Sequence, residues 1–166
     1  MNDIISQGKL TQKDFVKFIV LSRRKELVIQ SLLLWGAVYF FLYALNGYLY
    51  LRFETSLILL FSVVTTGVIS FLFIIALWFQ AKKKYKVDNV SKKLHTYFIN
   101  EHKINQRREI EQNEYTWEDV YKVVKGTNIF LIYISRKKAI VLPFHFFESE
   151  NDIQLVRKII DSRYKI

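Results

Sequence analysis

Two long stretches without a charged residue constrain this chain most. Residues 27–51 form 25 uncharged positions and residues 55–81 form 27 more, with only Arg52 and Glu54 charged between them. Each stretch exceeds the roughly 20 residues that a helix needs to cross about 30 Å of hydrocarbon. The remaining residues are rich in charge and cannot cover two helices that are apolar on every side. The sequence therefore predicts a membrane protein with a two-helix transmembrane hairpin, spans at 27–51 and 55–81, and a short outside loop near 52–54.

Basic residues flank both predicted spans on the same side. Lys and Arg are retained on the cytoplasmic side of a membrane, and short loops report this most directly. We therefore expect a multi-pass protein of the cell membrane with both termini in the cytoplasm. The same residues are candidate contacts for anionic lipid headgroups. They are Arg23, Arg24 and Lys25 before the first span, and Lys82, Lys83, Lys84 and Lys86 after the second.

Charge divides the chain into three segments. Residues 1–26 hold six Lys and Arg against three Asp and Glu, and residues 82–166 hold 18 against 11, which gives +3 and +7 of the total +10. A strongly basic chain is typical of a protein that binds nucleic acid or anionic lipid. The crowding of cations at the ends of the spans favours the bilayer and argues against nucleic acid. The absence of cysteine excludes disulfides and thiolate metal sites.

Small and hydroxylated residues mark one face of the second span. Transport proteins usually place ionisable groups inside the bilayer, and the spans contain none. Close packing of helices through small residues is the simpler interpretation, either between the two spans or with a second copy in a homo-oligomer. The candidate packing residues are Gly36, Ala37, Ser62, Thr66, Gly67 and Ser70.

The N-terminal segment predicts a helix that begins near Thr11. Thr11 and Asp14 have the spacing of a capping box, and Phe15, Phe18 and Ile19 then share one helix face. This juxtamembrane helix either lies on the inner membrane surface or docks its aromatic face on the C-terminal domain. The sequence leaves both alternatives open.

The segment after the lysine run predicts a small cytoplasmic α+β domain. Short apolar runs separated by turn residues predict an antiparallel meander with strands at 94–100, 104–111, 120–124, 129–134 and 139–142. Pro143 ends the last strand, and Ser149 with Asp152 predicts the start of an amphipathic C-terminal helix. This helix can cover one face of the sheet.

No catalytic constellation is evident, so we expect no enzymatic activity, cofactor or metal. His95, His102 and His145 lack metal-ligand spacing; His95 and His102 could meet across a turn, but ordinary surface or interface roles are the simpler interpretation. The acidic cluster at 109–114 resembles a solvated strand face. Trp117, with Tyr133, either lines a partner groove or closes one end of a core.

Several short runs together resemble a known family. Residues 115–120, 130–135, 139–143 and 147–150, with residues 10–15 and the two spans, resemble in order the YcxB-like family of bacterial membrane proteins. This resemblance implies a bacterial membrane protein whose C-terminal module is similar to bacterial pleckstrin-homology-like (PH-like) domains. It implies no defined biochemical activity.

Two functions fit this organisation. The first is a non-enzymatic regulatory or scaffolding protein whose cytoplasmic module binds an unidentified protein or anionic lipid at the inner membrane surface. The alternative is a self-protection (immunity) protein against a membrane-active bacteriocin or toxin. The first depends on the cytoplasmic module, whereas the second depends on contacts made by the spans.

Overall fold

The computed structural model describes residues 3–88, 92–108, 111–136 and 138–164. Two long apolar helices are followed by a small antiparallel-sheet domain with a C-terminal helix, and one strand precedes the helices. The elements in chain order are β1 (Ile4–Lys9), α1 (Gln12–Tyr48), α2 (Thr55–Val87), β2 (Leu94–Ile99), β3 (Lys103–Arg108), β4 (Glu111–Thr116), β5 (Lys122–Lys125), β6 (Ile129–Tyr133), β7 (Ala139–Pro143) and α3 (Glu150–Arg163).

The chain divides into two compact units. The sheet unit contains Met1–Leu21 and Lys82–Ile166, and the hairpin unit contains Ser22–Ala81. Charge alone divides the chain differently, at residues 26 and 81, and treats the N-terminal segment as a separate piece. That segment instead belongs to the sheet unit, because it supplies one strand of a sheet and the first turns of a packed helix.

In the hairpin unit, hydroxyl groups join the two helices. By length and composition, α1 and α2 could each cross a membrane. The indole Nε1 of Trp35 donates to Ser62 Oγ at 3.2 Å, and the hydroxyls of Ser31 and Ser70 lie 3.0 Å apart. Ser62 and Thr66 are buried. The hydroxyl stripe of α2 therefore faces α1, as the spacing of four predicts.

The small residues expected at that contact lie elsewhere. Gly36, Ala37 and Gly67 are exposed, and a Cβ added at Gly36 or Gly67 would meet no atom within 4 Å. The expectation that Gly36 and Ala37 pack against the stripe within the hairpin is therefore wrong. Trp35 and Ser31 fill that place, because their side chains carry hydrogen-bonding groups that can reach Ser62 and Ser70.

The side chain of Asn46 forms hydrogen bonds with the backbone of the loop between α1 and α2. The Asn46 amide accepts from the Phe53 backbone N–H at 3.0 Å and donates to the Phe53 carbonyl at 3.2 Å. Helix α1 continues through Asn46 to Tyr48. Tyr50 and Arg52 have φ angles of 51° and 57°, a left-handed conformation that costs about 1–2 kcal/mol for an L-residue. The Asn46 hydrogen bonds offset part of this cost.

The N-terminal segment packs within the sheet unit. Thr11 caps α1: its backbone N–H donates to the Asp14 carboxylate at 2.9 Å, and Thr11 Oγ1 accepts from the Asp14 N–H at 3.2 Å. The Phe15 ring lies 5.8 Å from that of Tyr85, whose hydroxyl donates to the Leu10 carbonyl at 2.7 Å. Phe18 packs against the core of the unit. Of the two alternatives for this helix, the structure shows docking on the C-terminal domain.

In the described part of the chain, seven strands form two antiparallel sheets. The first has the order β1-β2-β3-β4 and the second the order β5-β6-β7. The sequence pattern predicts β2, β3, β5, β6 and β7, and the structure confirms them with small shifts at their ends. It misses β1 and β4, because neither has an alternating apolar pattern: β1 is Ile-Ile-Ser-Gln-Gly-Lys and β4 is Glu-Gln-Asn-Glu-Tyr-Thr.

One core joins both sheets and the C-terminal helix. All five residues of β6 are buried, and α3 buries Ile153, Val156, Ile159 and Ile160 against the same cluster. Full burial of each such side chain contributes about 1.5–3 kcal/mol. Helix α3 begins as predicted, since Ser149 Oγ accepts from the Asp152 N–H at 3.2 Å. This core holds the sheet unit together.

The close contact of Gly8 with Phe146 generates a first prediction. A Cβ added at Gly8 would lie 2.3 Å from Phe146 Cδ1, and the Phe146 ring is buried and cannot withdraw. We expect Gly8→Ala to lower the free energy of unfolding of the sheet unit by about 1–3 kcal/mol through overpacking. Gly36→Ala is the matched control, because its Cβ meets nothing within 4 Å.

Urea unfolding in detergent, followed by the fluorescence of buried Trp117, measures this difference. Trp35 and Trp78 are replaced by phenylalanine in every variant, so that the signal comes from the sheet unit alone. Equal stability of the Gly8 and Gly36 variants would contradict the packing described here.

Candidate functional site

The inner face of the four-stranded sheet changes from apolar to charged along the strands. Paired residues form three layers across the sheet, and each layer is two residues further along every strand. The layers are Ile4, Ile99, Ile104 and Tyr115; then Ser6, Tyr97, Gln106 and Asn113; then Gly8, His95, Arg108 and Glu111. The first layer joins the core. The third lies at the end of the sheet where β1 leads into α1 and β2 begins.

The middle layer contains a buried hydrogen-bond network. Tyr97 and Gln106 are 2% and 1% exposed. With the Gln106 amide oriented to satisfy its neighbours, its oxygen accepts from the Tyr97 hydroxyl at 3.2 Å and from Arg108 Nη2 and Nε at 2.8 and 3.0 Å. Two donors from one guanidinium therefore meet one buried oxygen, and this fixes the plane of the Arg108 side chain.

A cavity opens beside the charged layer. Its volume is about 270 Å³, which is close to the lower end of small-molecule sites. The walls come from Leu10 after β1, the N-terminal part of α1, the end of α2, strands β2 and β3 of the first sheet, and the start of β7 with the residue before it. The lining residues are Leu10, Phe15, Phe18, Ile19, Lys84, Asp88, His95, Tyr97, Arg108, Lys138, Ala139 and Val141.

Positive charge dominates the polar wall of this cavity. Lys84, Arg108 and Lys138 bring three cations from three separate elements, against the single carboxylate of Asp88. The Lys138 ammonium also lies 5.1 Å from the centroid of the Tyr115 ring, a favourable cation–π distance. The described lining residues therefore carry a formal charge of +2, counting histidine as neutral.

His95 and Tyr97 form the floor where the strands meet the cavity. His95 is 2% exposed, and its ring stacks on that of Tyr97 with centroids 6.1 Å apart and planes at 5°. Burial raises the pKa of the Tyr97 hydroxyl to about 12, against the opposing effect of the nearby Arg108 guanidinium. Tyr97 therefore remains protonated at neutral pH and donates to Gln106.

This arrangement is suited to holding an anion. Cations from three segments of the chain line one concave space, and apolar side chains of α1 line it as well. Among the residues that the structure describes, no group of three or more His, Cys, Asp or Glu could hold a metal ion. Among the described residues that line the cavity, Asp88 is the only carboxylate.

The structure brings only one of the predicted headgroup contacts into the cavity. Lys84 lines it, and Lys82 is half-buried. The other five side chains are exposed and line none of this space: Arg23, Arg24, Lys25, Lys83 and Lys86.

The predicted partner groove at Trp117 and Tyr133 is not formed. Trp117 is 2% exposed, and its Nε1 donates to the Asn100 carbonyl at 2.8 Å. The Tyr164 hydroxyl donates to the Trp117 carbonyl. Tyr133 is also buried, with Lys122 Nζ 4.5 Å from its ring centroid. Both aromatic residues close the core, which is the alternative that the sequence left open for Trp117.

The three histidines occupy separate places. His95 lies opposite Arg108 in the register of β2 and β3, at one end of this strand pair. His102 lies in the turn at the other end, so His95 and His102 do not meet. His145 Nε2 lies 3.6 Å from an Asp14 oxygen.

In the acidic cluster at 109–114, the Glu114 carboxylate forms an ion pair with Lys103 at 3.1 Å, as expected for a solvated strand. Glu109 lies outside the described residues.

The sequence pattern did not identify the residues that give the cavity its positive charge and its buried hydrogen bonds. Arg108, Lys138, Tyr97 and Gln106 lie on predicted strands or turns, but nothing in the local pattern distinguishes them from solvated residues. The available signal is the alternation in which an apolar residue, a neutral polar residue and a charged residue follow one another at every second position of β3. That signal acquires meaning only when the neighbouring strands are aligned with it.

The raised pKa of Tyr97 generates a second prediction. Below pH 10 the hydroxyl is protonated in both the folded and the unfolded chain, so its contribution to stability is fully present. Between pH 10 and about 12 the unfolded chain ionises while the folded chain keeps its proton, which favours unfolding. The free energy of unfolding should therefore fall by about 2–3 kcal/mol over this range because of Tyr97 alone.

Tyr97→Phe removes this contribution, so its stability should fall less steeply above pH 10 than that of the wild type. Tyr121→Phe is the control, because Tyr121 is exposed. Urea unfolding at pH steps from 9 to 12 measures the slopes. Parallel curves for wild type and Tyr97→Phe would show that the Tyr97 hydroxyl is not protected.

Comparison with known proteins supports the resemblance noted in the sequence. The chain is 24% identical to the Bacillus subtilis (strain 168) protein named "Uncharacterized protein YcxB" over 158 residues, which cover 92% of this chain and 85% of the relative. No solved structure matches the chain. The family described as "YcxB-like protein" matches residues 99–160, which extend from the end of β2 into α3, and the resemblance of this chain to the YcxB-like family is thereby confirmed.

Proposed function

We propose that this protein is a non-enzymatic, membrane-anchored regulatory or scaffolding protein that presents a cytoplasmic binding module at the inner membrane surface. One observation carries the proposal: the two apolar helices are inserted between β1 and β2, which pair over six residues in the sheet unit. The hairpin thus leaves one folded unit and returns to it, as an anchor would.

Charge gives the proposed orientation. The uncharged runs at 27–51 and 55–81 have basic residues at the ends that lead to the sheet unit, and the loop between the helices offers only Arg52, offset by Glu54. By the retention of positive charge on the inner side, the sheet unit lies in the cytoplasm. The protein is then a multi-pass protein of the cell membrane.

The proposed module is PH-like. Two antiparallel sheets share one core with a C-terminal helix, an architecture compatible with the PH-like module that the resemblance implies. A binding role is favoured because the unit contains a concave space lined by three cations. The partners proposed are anionic lipid headgroups and a protein that remains to be identified.

The hairpin acts as an anchor in this proposal. The spans contain no ionisable residue, and the hydroxyls of Ser62 and Ser70 are engaged by groups on α1. These contacts support helix packing over a polar path. Self-protection against a toxin, in contrast, would place the function in the spans themselves.

The topology yields a third prediction, which exploits the absence of native cysteine. Single Tyr50→Cys and Tyr121→Cys variants place one thiol in the loop and one on the sheet unit, at side chains that are 85% and 58% exposed. In intact cells a membrane-impermeant maleimide should label Tyr50→Cys only. Tyr121→Cys should react after permeabilisation, and its labelling in intact cells would contradict the orientation.

A fourth prediction tests which of the two units carries the function. Residues 27–51 and 55–81 are exchanged for unrelated apolar helices of the same length, with the flanking charges kept. If the sheet unit carries the function, a photocrosslinker at exposed Tyr121 should give the same crosslinked partner bands in cells before and after the exchange. Membrane fractionation and protease resistance of the sheet unit serve as controls.

Loss of those bands in a variant that still folds and reaches the membrane would move the function to the spans. That outcome would favour the self-protection alternative.

A further inference from the structure

We propose that the cavity at the charged end of the first sheet binds the phosphate group of an anionic ligand, and that a membrane phospholipid headgroup supplies it. The inference rests on the proposed function and names the ligand class of the same module. Three features support it: a guanidinium oriented by a buried amide oxygen, two lysines from other segments of the chain, and apolar side chains in the same lining.

Arg108 is held in place before any ligand arrives. The buried Gln106 oxygen accepts from its Nε and Nη2, while Nη1 lies 3.9 Å from the Glu111 carboxylate, beyond hydrogen-bond distance. The side chain remains 25% exposed. A planar guanidinium whose orientation is already fixed loses little entropy on binding, and its fork suits the oxygens of phosphate.

Lys84 and Lys138 add charge from the end of α2 and from the turn before β7. Both side chains are exposed at the rim of the cavity, and long lysine side chains can move to meet a ligand. Three like charges around one concave space repel one another, and the carboxylates of Asp88 in the lining and of Glu111 beside Arg108 offset part of this repulsion. An anion bearing one or two negative charges would relieve this repulsion.

The apolar part of the lining favours a lipid over a simple anion. Leu10, Phe15, Phe18 and Ile19 form it, and they belong to β1's exit and the first turns of α1. A cavity lined by both cations and aromatic or aliphatic groups suits an amphipathic ligand. Inorganic phosphate would leave the apolar part of the lining unused.

The sequence keeps these residues beside the proposed bilayer surface. Lys84 follows Ala81, the last residue of the second uncharged run, by three positions, and Phe15 to Ile19 precede the first run by eight or more. Cations at the inner surface attract anionic headgroups, each contributing about 1 kcal/mol. The orientation of Arg108 is fixed by Gln106, so a phosphate must take one position to contact it. General attraction to a charged surface imposes no such position.

Binding is tested on the full chain in a non-ionic detergent, with thermal unfolding as the readout. The probes are the short-chain lipids dihexanoyl phosphatidylglycerol and dihexanoyl phosphatidylcholine, and inorganic phosphate. We expect the phosphatidylglycerol analogue to raise the unfolding temperature most, since its headgroup carries a net negative charge.

Matched double variants separate the cavity from general surface charge. Lys84→Gln with Lys138→Gln removes two cavity cations and should weaken binding of the phosphatidylglycerol analogue about tenfold or more. Lys83→Gln with Arg136→Gln removes two exposed cations beside them in sequence that do not line the cavity. This control should bind within about twofold of the wild type.

Each result decides the proposal. If inorganic phosphate binds as tightly as the lipid analogue and only the cavity variant loses it, the phosphate site stands with a soluble phosphate compound as its source. Equal weakening of both double variants, or no stabilisation of the wild type by any probe, would overturn the site. Neither result would alter the labelling pattern of Tyr50→Cys and Tyr121→Cys, which tests the membrane-anchored function. The two experiments can therefore show which of the two proposals fails.

Discussion

The pairing of β1 with β2 is the interaction on which the rest of the structure depends. It joins Ile4–Lys9 to Leu94–Ile99 across the entire hairpin, so the chain closes a very long loop before the first sheet is complete. Loop closure of this length costs free energy that grows only slowly with the number of residues. Six paired residues, the buried Ile4 and the docking of Phe15 and Phe18 offset that cost.

The same pairing builds the cavity. Because β1 lies beside β2, the chain that leaves β1 brings Leu10 and the start of α1 over the charged end of the sheet. Lys84 and Asp88 approach from the end of α2, just before β2 begins. The polar network beneath, from Tyr97 through Gln106 to Arg108, depends in turn on the antiparallel register of β2 and β3. The cavity and the two segments that connect the sheet unit to the hairpin therefore lie at the same end of the first sheet.

Local sequence was sufficient for elements that carry their own signal. The uncharged runs predict α1 and α2, short apolar runs between turn residues predict β2, β3 and β5–β7, and the Thr11–Asp14 and Ser149–Asp152 caps predict helix starts. It was insufficient for β1 and β4, whose strand conformation comes from a neighbouring strand. It also misplaced Trp117 and Tyr133 as groove candidates, because whether an aromatic residue lines a groove or a core depends on distant segments. Arg108 and Lys138 escaped notice for the same reason.

The position of β1 ahead of the hairpin has a consequence for biosynthesis. A ribosome makes β1 first, but its partner β2 emerges only after both long helices have been synthesised. If the hairpin spans the membrane, β1 and β2 can meet only when an even number of crossings returns the chain to its starting side. A chain with one helix left uninserted would hold its first strand on the opposite face from the other six, with the first sheet lacking an edge strand and Phe15 unburied. If the hairpin spans a membrane, the sheet unit can therefore be completed only in a chain whose two helices are both inserted, and a misinserted chain would present an incomplete domain open to proteases.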